Sequence, residues 1–218
     1  MPSNKKLLQA AAGNAGESLY AEDVFSTYLY DGNGSNRSIT NGIDLAGEGG
    51  LVWAKMRSGT PAGANNVLYD TERGAGKYLI SDLTSAQSAT DSVALTSFNS
   101  NGFSLGVDNA SGLINYGTRV YASWTFRKAE KFFDVVTYTG DGVAGREISH
   151  NLGSVPGMII VKVLDYSGVE SRTSWNVYHK STPTGFLNLN LTSSLNTTDM
   201  KSKFGDNINP VAPTDSVF

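Results

Sequence analysis

A chain that repeats itself over a long interval has few ways to fold, and this one repeats at a spacing close to 108 residues. Tyr30, Gly32 and Gly34 recur as Tyr138, Gly140 and Gly142, 108 positions on. Arg37 and Ile39 recur as Arg146 and Ile148 at 109. Gly50-Leu51-Val52-Trp53-Ala54-Lys55 is matched by Gly157-Met158-Ile159-Ile160-Val161-Lys162 at 107. Val67-Leu68-Tyr69 is matched by Asn176-Val177-Tyr178 at 109, and Leu83-Thr84-Ser85 by Leu191-Thr192-Ser193 at 108. Biased composition can produce one such block, hardly five in order. A period this long means tandem domains, because solenoid repeats run about 20–50 residues. The boundary falls at Arg127-Lys128-Ala129-Glu130-Lys131, the densest charge cluster in the chain. That segment is short and free of Gly, so the two units should be closely coupled.

Each unit reads as short strands joined by polar turns. Gly occurs 24 times and Ser, Thr and Asn 25, 18 and 18 times, together 85 of 218 residues. Such a composition suits many turns and argues against a helical bundle. Val24 to Tyr30 is aromatic and β-branched and meets the turn signal Asp31-Gly32-Asn33-Gly34. Leu51 to Lys55, Val67 to Tyr69 and Tyr78 to Ile80 read as further strands. Thr96 to Phe98 and Phe103 to Leu105 flank Asn101-Gly102 as a hairpin. Val120 to Phe126 alternates Val120, Ala122, Trp124 and Phe126 against Tyr121, Ser123 and Thr125, and the first set should fill the core. Phe132 to Gly142 restarts the pattern of the first strand and turn.

The expected fold is therefore all-β: two tandem β-sandwich domains of jelly-roll or lectin-like type, from an internal duplication, each with seven to nine strands. Residues 1–19 form a short N-terminal anchor segment, 20–131 the first repeat and 132–218 the second. Trp53, Trp124 and Trp175 are candidate core anchors. The second repeat should run to about residue 239, so it lacks its closing strand as written, and Pro213 to Phe218 resembles the approach to the Phe103 strand. Leaving that strand out would expose an apolar face and an unpaired edge. Either the native chain is longer, the favoured expectation, or another subunit donates the strand.

Several chemistries drop out on residue types alone. The chain has no Cys, hence no disulfide, Cys-ligated zinc or thiol nucleophile. The net charge of -3 gives no electrostatic footprint for nucleic acid. No apolar run approaches the ~18 residues of a membrane span. Lys5-Lys6 ahead of Leu7-Leu8 has too short an apolar part for a secretory h-region and reads as a tail. Gly102-Phe103-Ser104-Leu105-Gly106 fits the nucleophile-elbow pattern, with Asp134 and then His150 or His179 downstream. An elbow requires a helix after the Ser, and none is patterned here. Asp31-Gly32-Asn33-Gly34-Ser35 opens like a calcium loop, but the twelfth position is Gly42 where Glu is required. The two histidines align with Asn41 and Asp70 of the other repeat and make a poor metal site. No enzyme activity, cofactor or metal is expected.

Taken as a set, certain runs resemble a known family. They are Asn41 to Lys55, Leu68 to Gly74, Thr96 to Gly106, Tyr121 to Lys128, Phe132 to Gly140 and Pro156 to Lys162. Together these are similar to virion structural and tail-fibre-like proteins of marine tailed phages, notably those of cyanobacteria and pelagic bacteria, over most of residues 20–218. The resemblance implies a structural part of a phage particle, tail-associated and homo-oligomeric, in contact with other virion proteins. Its N-terminal segment, with Lys5, Lys6, Leu7 and Leu8, would be the virion anchor, which a partner orders. The alternatives are a glycan-binding module that meets the host surface and a capsid decoration protein. Neither nucleic acid nor membrane insertion is implied.

Overall fold

The computed structural model of the chain describes residues 19–59, 65–89, 93–108, 113–141, 143, 146–165, 174–197 and 212–218. Lys5, Lys6, Leu7 and Leu8 lie outside the described residues. A single helical turn, α1 (Ala21–Val24), opens the described chain. It stands where the sequence suggested that the first strand begins. Tyr20 N–H donates to Asp23 Oδ2 at 3.0 Å, which closes the turn before the β-branched and aromatic residues take over.

Nine strands follow: β1 (Phe25–Asp31), β2 (Arg37–Thr40), β3 (Gly50–Ser58), β4 (Asn66–Asp70), β5 (Lys77–Ile80), β6 (Ser88–Ala89), β7 (Leu95–Asn99), β8 (Gly102–Leu105) and β9 (Val120–Arg127). They make a six-stranded antiparallel sheet in the order β1-β9-β3-β4-β5-β6 and a three-stranded one in the order β2-β8-β7. Side chains alternate between faces of a strand, and each sheet gives one face to a shared interior. Tyr30, Val52, Ala54, Met56, Val67, Tyr69 and Tyr121 come from the large sheet. Ile39, Leu95, Phe103 and Leu105 come from the small one, and Ile43, Leu45 and Ile114 close the ends. Fully burying one such aliphatic or aromatic side chain is worth about 1.5–3 kcal/mol.

Strand β9 corrects the sequence reading. Tyr121, Ser123 and Thr125 are the fully buried set, and Tyr121 joins the core. Trp124 and Phe126 lie on the opposite face, where Trp124 meets Trp53 edge-on at 6.4 Å. β9 is flanked by β1 and β3 and covered on both faces, so apolar alternation alone does not say which face points inward. Small residues allow the close approach: Asn41 Nδ2 donates to Thr125 Oγ1 at 2.8 Å.

The second half carries three strands among the described residues, not seven to nine. They are β10 (Met158–Val161), β11 (Asn176–His179) and β12 (Leu187–Asn188), an antiparallel meander in that order. Its register reproduces that of β3-β4-β5. Leu51, Val52, Trp53 and Ala54 face Asp70, Tyr69, Leu68 and Val67. Met158, Ile159, Ile160 and Val161 face His179, Tyr178, Val177 and Asn176 in the same way. Hydrogen bonds outside the ladders recur as well. Thr71 N–H donates to Gly50 O and Lys180 N–H to Gly157 O, both at 3.0 Å. The Arg37 guanidinium donates to Asp31 O, and that of Arg146 to Thr139 O. Asn41 Oδ1 accepts from Ile43 N–H, and His150 Nδ1 from Leu152 N–H, each at 3.2 Å.

Two expectations for this half meet different ends. Phe132 to Tyr138 forms no strand. Phe132 and Phe133 fold back over Phe126, with ring centroids at 6.4 and 5.3 Å, and the residues that follow carry no ladder. The reason lies in the first half, where the matching strand β1 pairs with β9 alone. The final residues behave as their sequence suggested. Phe218 and Ile148 exchange backbone hydrogen bonds at 2.9 and 3.0 Å, and Ser149 pairs with Val217. Phe103 likewise faces Ile39.

Candidate functional site

The residues that might carry chemistry come first. Ser104 sits in β8 and is no elbow. Its Oγ lies 3.1 Å from Ser38 Oγ and accepts from Asn99 Nδ2 at 2.9 Å. It lines a shallow open groove with Asn36, Arg37, Ser38, Thr96 and Ser97. The histidines occupy turns: His179 Nδ1 accepts from Ser181 N–H at 3.1 Å, and the His150 ring stacks on Phe218 at 6.2 Å. Among the described residues, no three His, Asp or Glu side chains are grouped to hold a metal. Asn33, in the turn that opens like a calcium loop, uses its Oδ1 to accept from Ser35 N–H at 2.9 Å.

Buried polar groups close the end of the sandwich. Asp108 Oδ2 accepts from the N–H groups of Ile114 and Asn115 at 3.1 and 3.0 Å. Asn115 Nδ2 donates to Ser35 O and Gly106 O, and Tyr30 Oη to Ile114 O. Burial raises the phenol pKa of Tyr30 and Tyr121 above the ordinary value. Asp70 and Arg73 form a buried ion pair at 2.5 Å that closes the turn after β4. These groups are consumed by structure, since an unpaired buried polar group costs roughly 1–3 kcal/mol.

The junction holds the two halves together. Lys128 Nζ reaches Glu72 Oε1 at 2.7 Å and Asp134 Oδ1 at 3.3 Å. Partial burial disfavours its charge, but the two carboxylates outweigh this and raise its pKa. On the outer face of the large sheet, Trp175 is buried against Leu68 and Leu79, with Leu51, Trp53 and Leu164 around it. Its indole N–H donates to Ile80 O at 2.9 Å and Leu83 O at 3.2 Å. Of the candidate anchors, Trp175 is the buried one; Trp53 packs against its cluster and Trp124 against Trp53, all on the outer face of the sheet.

What stands open is apolar. Among the described residues, eleven of the fifteen exposed large hydrophobic ones lie beyond residue 131. Met158 and Ile160 on β10 are 56% and 39% exposed, and Leu187 on β12 is 39% exposed. Their counterparts Leu51 and Trp53 are half-buried, and Leu79 is 5% exposed. Tyr138 is 45% exposed where its counterpart Tyr30 is 5%. Among the described residues, β10 is the outer strand of its sheet and pairs only with β11. Exposed patches of this kind mark interaction surfaces.

Residues 20–218 match a domain of unknown function, DUF7483. No curated protein and no solved structure matches the chain.

Proposed function

The chain belongs to the DUF7483 domain family, and we propose that it is a structural component of a tailed-phage virion. In this reading it is a tail fibre or tail-associated appendage, held to other virion proteins by its N-terminal segment with Lys5, Lys6, Leu7 and Leu8, and works as a homo-oligomer. Residues 20–131 and 132–218 are two copies of one β-sandwich. The shared register of β3-β4-β5 and β10-β11-β12 supports the two-copy reading. The observation that carries an assembly role is the apolar exposure concentrated beyond residue 131, a surface suited to protein contact. The groove at Ser104 is polar and shallow and is lined by no aromatic ring on which a sugar could stack.

Immunogold labelling of purified particles tests the assignment. Label on the tail is the expected result. Label on the head would favour a decoration protein, and unlabelled particles would overturn the reading. Deleting residues 2–16 is expected to leave a folded, soluble chain that no longer enters particles.

A further inference from the structure

The chain holds three Asn-Gly pairs, Asn33-Gly34, Asn41-Gly42 and Asn101-Gly102. Such a pair carries a reaction of its own. The main-chain nitrogen of the glycine attacks Cγ of the asparagine, and glycine leaves the approach clear because it has no Cβ. In sequence the three pairs are equivalent, so their surroundings in the fold decide which of them reacts.

Two pairs are held. Asn33 Oδ1 accepts from Ser35 N–H at 2.9 Å, and Asn33 N–H donates to Asn115 Oδ1 at 3.3 Å. The attacking group of this pair, Gly34 N–H, donates to Asn115 O at 2.7 Å, and Asn115 is fully buried. Asn41 has its carboxamide fixed at both ends. Its Oδ1 accepts from Ile43 N–H at 3.2 Å and its Nδ2 donates to Thr125 Oγ1 at 2.8 Å. Each must give up hydrogen bonds before nitrogen and Cγ can meet.

Asn101 is differently placed. It lies in the exposed link Ser100-Asn101 between β7 and β8. Among the described residues its side chain makes no hydrogen bond. Gly102 opens β8 opposite Asn99. The carbonyl there, Asn99 O, already accepts from Leu45 and Ala46 N–H at 2.9 and 3.2 Å, which occupies both of its lone pairs. The Gly102 nitrogen is therefore weakly held by its neighbour across the hairpin, at a loop tip, where a fold opens most readily.

We propose that Asn101 is a site of spontaneous main-chain modification in the folded protein, and that the product loosens the β2-β8-β7 sheet. The Gly102 nitrogen gives its proton to water and bonds to Asn101 Cγ. The Cγ–Nδ2 bond breaks, and Nδ2 takes up a proton from water and leaves as ammonia. Water then opens the cyclic imide. Opening at Cγ leaves aspartate at position 101. Opening at the Asn101 main-chain carbonyl leaves isoaspartate, whose main chain is one methylene longer. The balance is one water in and one ammonia out. The small sheet has no slack for the longer chain. Gly102 has φ +126° and packs so closely on Ile39 O that a Cβ would overlap it, and Asn101 O accepts from Asn41 N–H at 3.3 Å. The inference rests on these contacts and not on the particle assignment.

The test incubates the folded chain at mildly alkaline pH and follows the exchange of ammonia for water at each pair by peptide mapping and mass spectrometry. Asn101 is expected to convert ahead of Asn33 and Asn41 by about tenfold or more, since each of those must first lose hydrogen bonds. In urea, with the fold gone, the three are expected to react at similar rates. Fragmentation that separates isoaspartate from aspartate is expected to find isoaspartate at position 101, and the converted fraction is expected to show a lower denaturation midpoint. Asn101→Gln is expected to keep the fold and lose the early product. An intact Asn101, conversion of Asn33 or Asn41 as fast as that of Asn101, or the same ranking in urea would overturn the proposal. So would an unchanged midpoint in the isoaspartate fraction, or an early product that survives Asn101→Gln.

Discussion

Gly102 shows how far a single residue governs the first sandwich. It follows the two-residue link between β7 and β8, has φ +126°, and lies against Ile39 O so closely that a Cβ there would overlap the carbonyl. Gly102→Ala therefore meets backbone strain and a backbone clash together, and is expected to cost about 3 kcal/mol, read from the denaturation midpoint. Two residues away, Ser104→Ala removes hydrogen bonds at a surface groove. It is expected to change stability by less than about 1 kcal/mol, and a serine-directed phosphonate should not label Ser104. The matched leucines Leu79 and Leu187 separate position from residue type. Leu79→Lys places a charge in a buried cluster and is expected to cost more than about 3 kcal/mol. Leu187→Lys is expected to stay within about 0.5 kcal/mol and to raise solubility.

Among elements, β9 and the Trp175 segment do most to join distant parts of the chain. β9 seats itself between β1 and β3, so the first sheet forms only once residues about a hundred positions apart have met. Trp175 ties the β10-β11-β12 meander to the outer face of β4 and β5. Trp175→Ala removes the ring that fills that contact and two hydrogen bonds to Ile80 O and Leu83 O. Phe or Trp truncations of this kind cost about 3–5 kcal/mol. The loss should fall unequally. Hydrogen exchange is expected to quicken across β10-β11-β12 while β1, β3 and β9 keep their protection. Equal quickening across both sheets would show that the halves unfold as one.

For the molecule as a whole, buried phenols set the alkaline limit. Burial raises the pKa of Tyr30, Tyr69 and Tyr121 above the ordinary value, with neighbouring phenols adding to it at Tyr30 and Tyr69. The unfolded chain ionises its tyrosines near pH 10, whereas the folded chain holds these three neutral. Their contribution to stability is thus complete below about pH 10 and is lost as pH rises from there through the folded-state values. A spectrophotometric titration is expected to show these phenols ionising together with unfolding, at higher pH than the exposed tyrosines. Independent early titration of all ten tyrosines would contradict that coupling.

The strands, turns and internal correspondence of this protein were written in local sequence. The short apolar run at Leu51 to Lys55, the Asp31-Gly32-Asn33-Gly34 turn and the spacing of Tyr30 from Tyr138 needed no knowledge of distant partners. The match of register between the two halves accompanies those local matches, although the offset is 107 residues for β3 and 109 for β4. The likeness of Pro213 to Phe218 to the approach of the Phe103 strand was legible too, but not the partner, Ile148, that Phe218 meets. The inward face of β9 was not: a strand covered on both sides places apolar residues on each, and only its neighbours decide which side is the interior. Nor did the sequence show that Phe132 and Phe133 would leave the strand pattern to cover Phe126, or that Trp175 would seal Leu68 and Leu79. Those outcomes depend on contacts between residues far apart in the chain, where the apolar surface actually available decides what each side chain covers.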